Sequence, residues 1–149
     1  MRLSINVLRM LVASLAAIGT MAHADEPVLR DLESKSPKKL SKDEASELLT
    51  GARISRVSQR GNTHLWTNDP GGSFVLSSAG GTGDFGRAAT ARGKWNISDD
   101  GRYCVFIEWK GGIPNEEWCR FILQTTDGYY AARSDSAGTE RVYKMEIKK

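Results

Sequence analysis

The stretch Ser98-Asp99-Asp100-Gly101-Arg102-Tyr103-Cys104-Val105-Phe106-Ile107-Glu108-Trp109 decides the fold. Its first four residues read as a hairpin turn, because Asp-Gly tolerates the positive φ that such turns need. Tyr103 to Trp109 is rich in aromatic and β-branched residues, which suit a pleated, half-buried surface. Gly111, Gly112 and Pro114 make Lys110 to Asn115 a loop, and Trp118 to Thr125 is the returning strand. Successive side chains on a strand point to opposite faces. Tyr103, Val105, Ile107 and Trp109 therefore share one side, and Cys104, Phe106 and Glu108 the other. On the return, Cys119, Phe121 and Leu123 share a side opposite to Trp118, Arg120, Ile122 and Gln124. The cysteine face, with Phe106, Phe121 and Leu123 on it, is expected to be core, with Glu108 at its watery end beside Glu116 and Glu117.

The same pattern extends in both directions. Ala52 to Val57 alternates, Thr63 to Thr67 holds Leu65 and Trp66, and Asp69-Pro70-Gly71-Gly72 turns into Phe74-Val75-Leu76. A Gly-rich link, Ala79 to Gly86, leads to a strand at Ala88 to Ile97 that carries Gly93 and Trp95. Asp127-Gly128 makes another tight turn before Tyr129 to Arg133, and Val142 to Ile147 closes the chain. Roughly seven to nine short strands at spacings of about 8–12 residues predict an all-β sandwich or barrel. Consecutive tight turns favour a mainly β antiparallel up-and-down meander, forming a small barrel or curled sheet, with one short N-terminal helix. That helix starts at Ser41, with Glu44 at capping-box spacing and Ala45, Leu48 and Leu49 on one face, and stops at Gly51. Roughly ten residues do not hold a helix alone, so it must dock on the sheet.

The chain starts with an address. Arg2 and Arg9 precede the apolar run Met10 to Met21, and Ala22-His23-Ala24 is an A-x-A cleavage signature followed by Asp25-Glu26-Pro27. The run is too short for the roughly 20 residues of a spanning helix, so residues 1–24 read as a signal peptide. Residues 25–40, charged and carrying Pro27 and Pro37, read as a flexible leader, and 41–149 as a single β domain. The full chain has 149 residues with 21 Lys+Arg against 18 Asp+Glu. Cleavage after Ala24 removes Arg2 and Arg9, leaving 19 against 18, or +1. A near-neutral domain has no strong field to draw it to nucleic acid or to an anionic membrane. Export to the periplasm or medium of a Gram-negative bacterium would put Cys104 and Cys119 in oxidising surroundings, where two cysteines usually pair. Reduced thiols, a metal site or a redox pair are the alternatives. The last two want C-x-x-C or a nearby His, and neither is present.

The chain is poor in catalytic sets. Cleavage leaves His64 as the only histidine, with no nucleophile motif around it, and it reads as a surface or strand-edge residue. Gly80-Gly81-Thr82-Gly83 lacks the Lys and helix of a phosphate loop. Glu108 with Glu116 or Glu117 is the one carboxylate set able to suggest hydrolysis. Trp109 and Trp118 flank one loop, with Arg120, Glu116 and Glu117 close by. Aromatic rings and charge at a hairpin mouth suit a sugar-, peptide- or protein-binding patch, although rings also fill the core of a small barrel. The expected site is thus Trp109, Trp118, Arg120, Glu108, Glu116 and Glu117, with no metal and no cofactor.

Gly93-Lys94-Trp95, Asp99-Asp100-Gly101-Arg102-Tyr103-Cys104, Trp118-Cys119-Arg120 and Asp127-Gly128-Tyr129-Tyr130 occur in an order that resembles a family of small secreted proteobacterial proteins of unknown function. The resemblance covers about residues 40–133 and implies an envelope β domain without supplying an activity. Gly93-x-Trp95 is also similar to the lipocalin signature, which belongs on a first strand, whereas here it falls mid-chain. Only a barrel-like architecture is taken from that likeness. These readings converge on a non-enzymatic periplasmic or secreted binding domain for an envelope or extracellular ligand or protein, possible hydrolase inhibition included. A carboxylate-based hydrolase and a structural envelope protein are the rivals.

Overall fold

A computed structural model of the chain describes residues 26–80 and 89–149. The expected signal peptide, residues 1–24, and most of the Gly-rich link lie outside the described residues. The elements are a 3₁₀ helix (Leu29–Lys35), β1 (Lys38–Lys39), α1 (Lys42–Leu49), β2 (Arg53–Val57), β3 (Asn62–Thr67), β4 (Ser73–Gly80), β5 (Ala89–Ile97), β6 (Tyr103–Glu108), β7 (Glu116–Thr125), β8 (Gly128–Ala132) and β9 (Val142–Lys148). From β2 to β9 each strand pairs antiparallel with the next, and β9 pairs back onto β2. The result is a closed, eight-stranded up-and-down barrel with β1 as an extra strand. Closure removes the exposed edges that an open meander would present.

One side chain in two points inward and fills the barrel. Ile54, Trp66, Phe74, Leu76, Trp95, Tyr103, Val105, Ile107, Ile122 and Met145 form its core. Helix α1 stoppers the end where β2 begins, and Ala45, Leu48 and Leu49 join the same cluster. Its start follows the capping box read from the sequence: the Ser41 hydroxyl accepts from the Glu44 N–H at 3.2 Å, and the Glu44 carboxylate accepts from the Ser41 N–H at 2.9 Å. A buried polar network ties helix to barrel. Asn68 Nδ2 donates to the Leu49 carbonyl at 3.0 Å, while Asn68 Oδ1 accepts from Trp66 Nε1 at 3.1 Å and from the Tyr103 hydroxyl at 2.8 Å. Burial pushes the Tyr103 phenol up to about 12, so it stays a donor.

Cys104 and Cys119 stand opposite each other in the β6–β7 ladder and form a disulfide. The face they occupy corrects the sequence reading. Tyr103, Val105 and Ile107 point inward, and Cys104, Phe106 and Glu108 lie on the outer wall, Phe106 exposed. Phe121 and Leu123 are buried for a different reason: the N-terminal segment covers that part of the outer wall. Leu123 packs with Leu32, Tyr130, Ala132 and Val142 in a second cluster outside the barrel. Phe121 lies between two cations, with Lys39 Nζ 4.7 Å and Arg102 Cζ 4.6 Å from its ring centre. Alternation assigns residues to two faces without saying which one meets the interior.

The leader 25–40 is likewise corrected. From Glu26 onward it is a docked strap, with Leu32 only 1% exposed. Leu29 and Leu32, three residues apart, are two apolar anchors among charges, and the outer face of β7–β9 receives them. β8 holds one edge of Phe121–Thr125, so β1 takes the other, the edge that β6 vacates past Arg120. Lys35 Nζ donates to Asp127 at 2.8 Å and to the Tyr130 hydroxyl at 3.2 Å, and holds the Asp127 carboxyl well below the usual carboxylate range.

Candidate functional site

The core changes character toward the end of the barrel opposite α1. Strand β2 runs away from the helix, so its inner face passes from Ile54 to Arg56. Strand β3 returns with His64 paired to Arg56. Across the barrel, the inner face of β7 presents Glu116, Trp118 and Arg120, level with Ile107, Val105 and Tyr103 of β6. Trp109 follows directly on β6. A cation at an inward position of a β-barrel is costly unless it is paired and hydrogen-bonded.

Arg56 is the hub. Its Nη2 donates to Glu116 Oε2 at 2.8 Å and lies 3.4 Å from His64 Nδ1. A guanidinium has no acceptor, so that contact makes Nδ1 the acceptor and puts the histidine proton on Nε2. The guanidinium carbon sits 5.2 Å from the Trp118 ring centre, a cation–π distance. Glu116 also accepts from Trp109 Nε1 at 3.1 Å, and the Trp109 ring lies 5.4 Å from that of His64. Trp118 closes the set toward the core with an edge-on contact to Tyr103 at 5.6 Å. Two N–H groups in this cluster, Arg56 Nε and Trp118 Nε1, are sealed from solvent and have no acceptor among the described residues. Buried donors are ordinarily paired.

Arg120 lies deeper on the same strand, 5.9 Å from the Tyr143 ring, and its one side-chain hydrogen bond among the described residues is a long contact to the Cys119 carbonyl at 3.4 Å. Burial, and then the nearby Arg133, lower its pKa. Neither Arg120 nor Arg133 has a carboxylate within ion-pair distance among the described residues.

His64 is 3% exposed, not a surface or strand-edge residue as its sequence context suggested. Burial first, and then the Arg56 charge, push its pKa down, with Glu116 opposing them. A histidine depressed on folding favours the folded state while neutral, and that stability is lost as pH falls through the unfolded value toward the folded one. Stability should therefore decline from pH 7 to pH 5. Denaturant titrations of His64→Gln at both pH values should show a weaker decline. An equal decline would mean that His64 does not carry the effect.

The six expected site residues divide. Trp109, Glu116, Trp118 and Arg120 come together inside the barrel. Glu108 and Glu117 point to the outer wall, opposite in sense to Glu116, so the suggested carboxylate set is not assembled. Arg56 and His64 were missed. The signal was present in β2, where alternation from Ile54 places Arg56 on an inner face. A concavity of about 670 Å³ lies on the outer wall, lined among others by Val75, Arg92, Lys94, Phe106 and Glu108. None of the residues lining it carries a buried donor lacking an acceptor among the described residues. The interior cluster is therefore the stronger candidate. Among the described residues no group of His, Cys, Asp and Glu is placed to hold a metal ion, and no helix is long and apolar enough to cross a membrane. Comparison with protein-family models, curated proteins and solved structures found no match for this chain.

Proposed function

We propose that this protein is an exported, non-enzymatic binding domain that takes its ligand at the end of the barrel opposite α1. The observation that carries the reading is the pair of buried donors, Arg56 Nε and Trp118 Nε1, within an aromatic and charged cluster. An unpaired buried donor costs on the order of 1–3 kcal/mol, and a ligand acceptor relieves that cost. Binding sites of this kind favour mostly apolar walls with a few convergent polar groups, and barrel ends are a usual place for them. The disulfide and the leader pattern support an oxidising compartment, periplasmic or extracellular. The order of the Gly93, Asp100, Cys104 and Cys119 motifs supports kinship with small secreted proteobacterial proteins. The hydrolase rival is weakened by the opposed directions of Glu108 and Glu116 and by the Arg56 ion pair that occupies Glu116.

The test is a binding screen of the secreted chain against cell-wall glycan fragments, small organic ligands and envelope proteins, read by tryptophan fluorescence. Hits should lose affinity at least tenfold in Trp118→Phe, which removes the free N–H and keeps a ring. Hits insensitive to that change, or none at all, would remove the reading. Turnover of a substrate abolished by Glu116→Gln would favour the enzyme instead.

A further inference from the structure

The same cluster specifies the sign of its ligand. Arg120 lies within the electrostatic reach of both Arg133 and Arg56, and of these three arginines only Arg56 has a carboxylate within ion-pair distance among the described residues, Glu116 at 2.8 Å. Glu140 adds a more distant negative charge. His64 supplies no second anion, and its acceptor nitrogen is already turned to Arg56. The two buried N–H groups without acceptors among the described residues belong to neighbours in cation–π contact, Arg56 Cζ lying 5.2 Å from the Trp118 ring centre. Every unsatisfied group is therefore a donor or a cation. Donors of this kind select an acceptor-only group, and an ionised carboxylate is such a group. The side walls at that depth are Trp109, Trp118 and Tyr143, half-buried rings that suit an apolar body.

Resting on the binding reading above, we propose that the ligand is a small organic monocarboxylate with an apolar body, its carboxylate accepting from Arg56 Nε, Trp118 Nε1 and the Arg120 guanidinium. With Glu116 and the more distant Glu140 already present, a single further negative charge balances the three arginines. A sugar fragment would leave that excess in place. A larger polyanion would have to displace Glu116 from Arg56.

The experiment is calorimetric titration of the secreted chain at pH 7 with matched acids and primary amides: acetate and acetamide, 3-phenylpropionate and 3-phenylpropionamide, indole-3-acetate and its amide. The aromatic acids should bind at least tenfold tighter than their amides. Arg120→Gln should weaken the acids at least tenfold more than the amides, and added salt should reduce the preference. Arg133→Gln, a change at an exposed position, should reduce the preference in a chain whose fold is undisturbed. Equal affinity for acid and amide overturns the carboxylate assignment and leaves the binding reading standing, as does tight binding of a neutral glycan with no acid binding. Failure of every compound and every glycan to perturb Trp118 overturns both.

Discussion

Gly93→Ala is expected to destabilise the domain by about 3 kcal/mol, the upper part of the range for overpacked cores. Gly93 sits on the inner face of β5 opposite Phe74 of β4, and a Cβ built there would come within 2.0 Å of Cζ in the Phe74 ring. The ring cannot easily swing away, because Phe74 is 5% exposed and stacks against Trp66 at 5.5 Å. At an unobstructed strand position the same substitution would help, since glycine weakens a strand interior. The sign thus reports the packing. Pairing Gly93→Ala with Phe74→Leu makes room for the methyl, so the double variant should be more stable than Gly93→Ala alone. Urea denaturation midpoints check both statements, and a neutral or stabilising Gly93→Ala would show that the Phe74 ring does not rest against Gly93.

Loss of the Cys104–Cys119 bridge should have an effect of similar size. The two cysteines are 15 residues apart, and opening a loop of that length costs roughly 3 kcal/mol in the chain-entropy account. For a domain of this size that lowers the melting temperature by about 10 °C. The bridge staples β6 to β7 on the outer wall, and the inner faces of those strands carry Trp118 and Arg120. Reduction should therefore loosen the candidate site as well as lower stability. Thermal melts with and without reductant, and of the Cys104→Ser/Cys119→Ser chain, measure the first effect. A melting temperature indifferent to reductant would mean that the bridge contributes little beyond the ladder it spans.

Much of the wall was legible in the sequence because turn chemistry is local. Asp100-Gly101 and Asp127-Gly128 place glycines at φ of 85° and 127°, and the strands between such turns begin and end within a residue or two of their expected limits. Closure into a barrel was one of two expected outcomes, and it depends on β9 meeting β2, a contact no local signal specifies. Which face is inner was not legible either. Cys104 and Phe106 look like core residues, and only the full ring of strands turns them outward. The strap shows the same limit: Leu29 and Leu32 are too few to mark an element until β7 to β9 supply the surface that buries them. For the site, Trp109 and Trp118 drew notice by composition and Glu116 by proximity to the loop. Arg56 and His64 lie far away in sequence and join them only across the barrel.

The four indole N–H groups give the most direct test of the central claim, that the barrel end opposite α1 is a ligand site. Trp66 Nε1 is held by Asn68 and Tyr103, Trp95 Nε1 by the Asp69 carbonyl at 2.8 Å, and Trp109 Nε1 by Glu116, while Trp118 Nε1 has no acceptor among the described residues. In a nitrogen–proton correlation spectrum titrated with indole-3-acetate, the Trp118 indole resonance should shift most and Trp109 next, with Trp66 and Trp95 nearly still. Shifts confined to residues of the outer-wall groove, such as Val75 and Phe106, with Trp118 unmoved, would contradict the account.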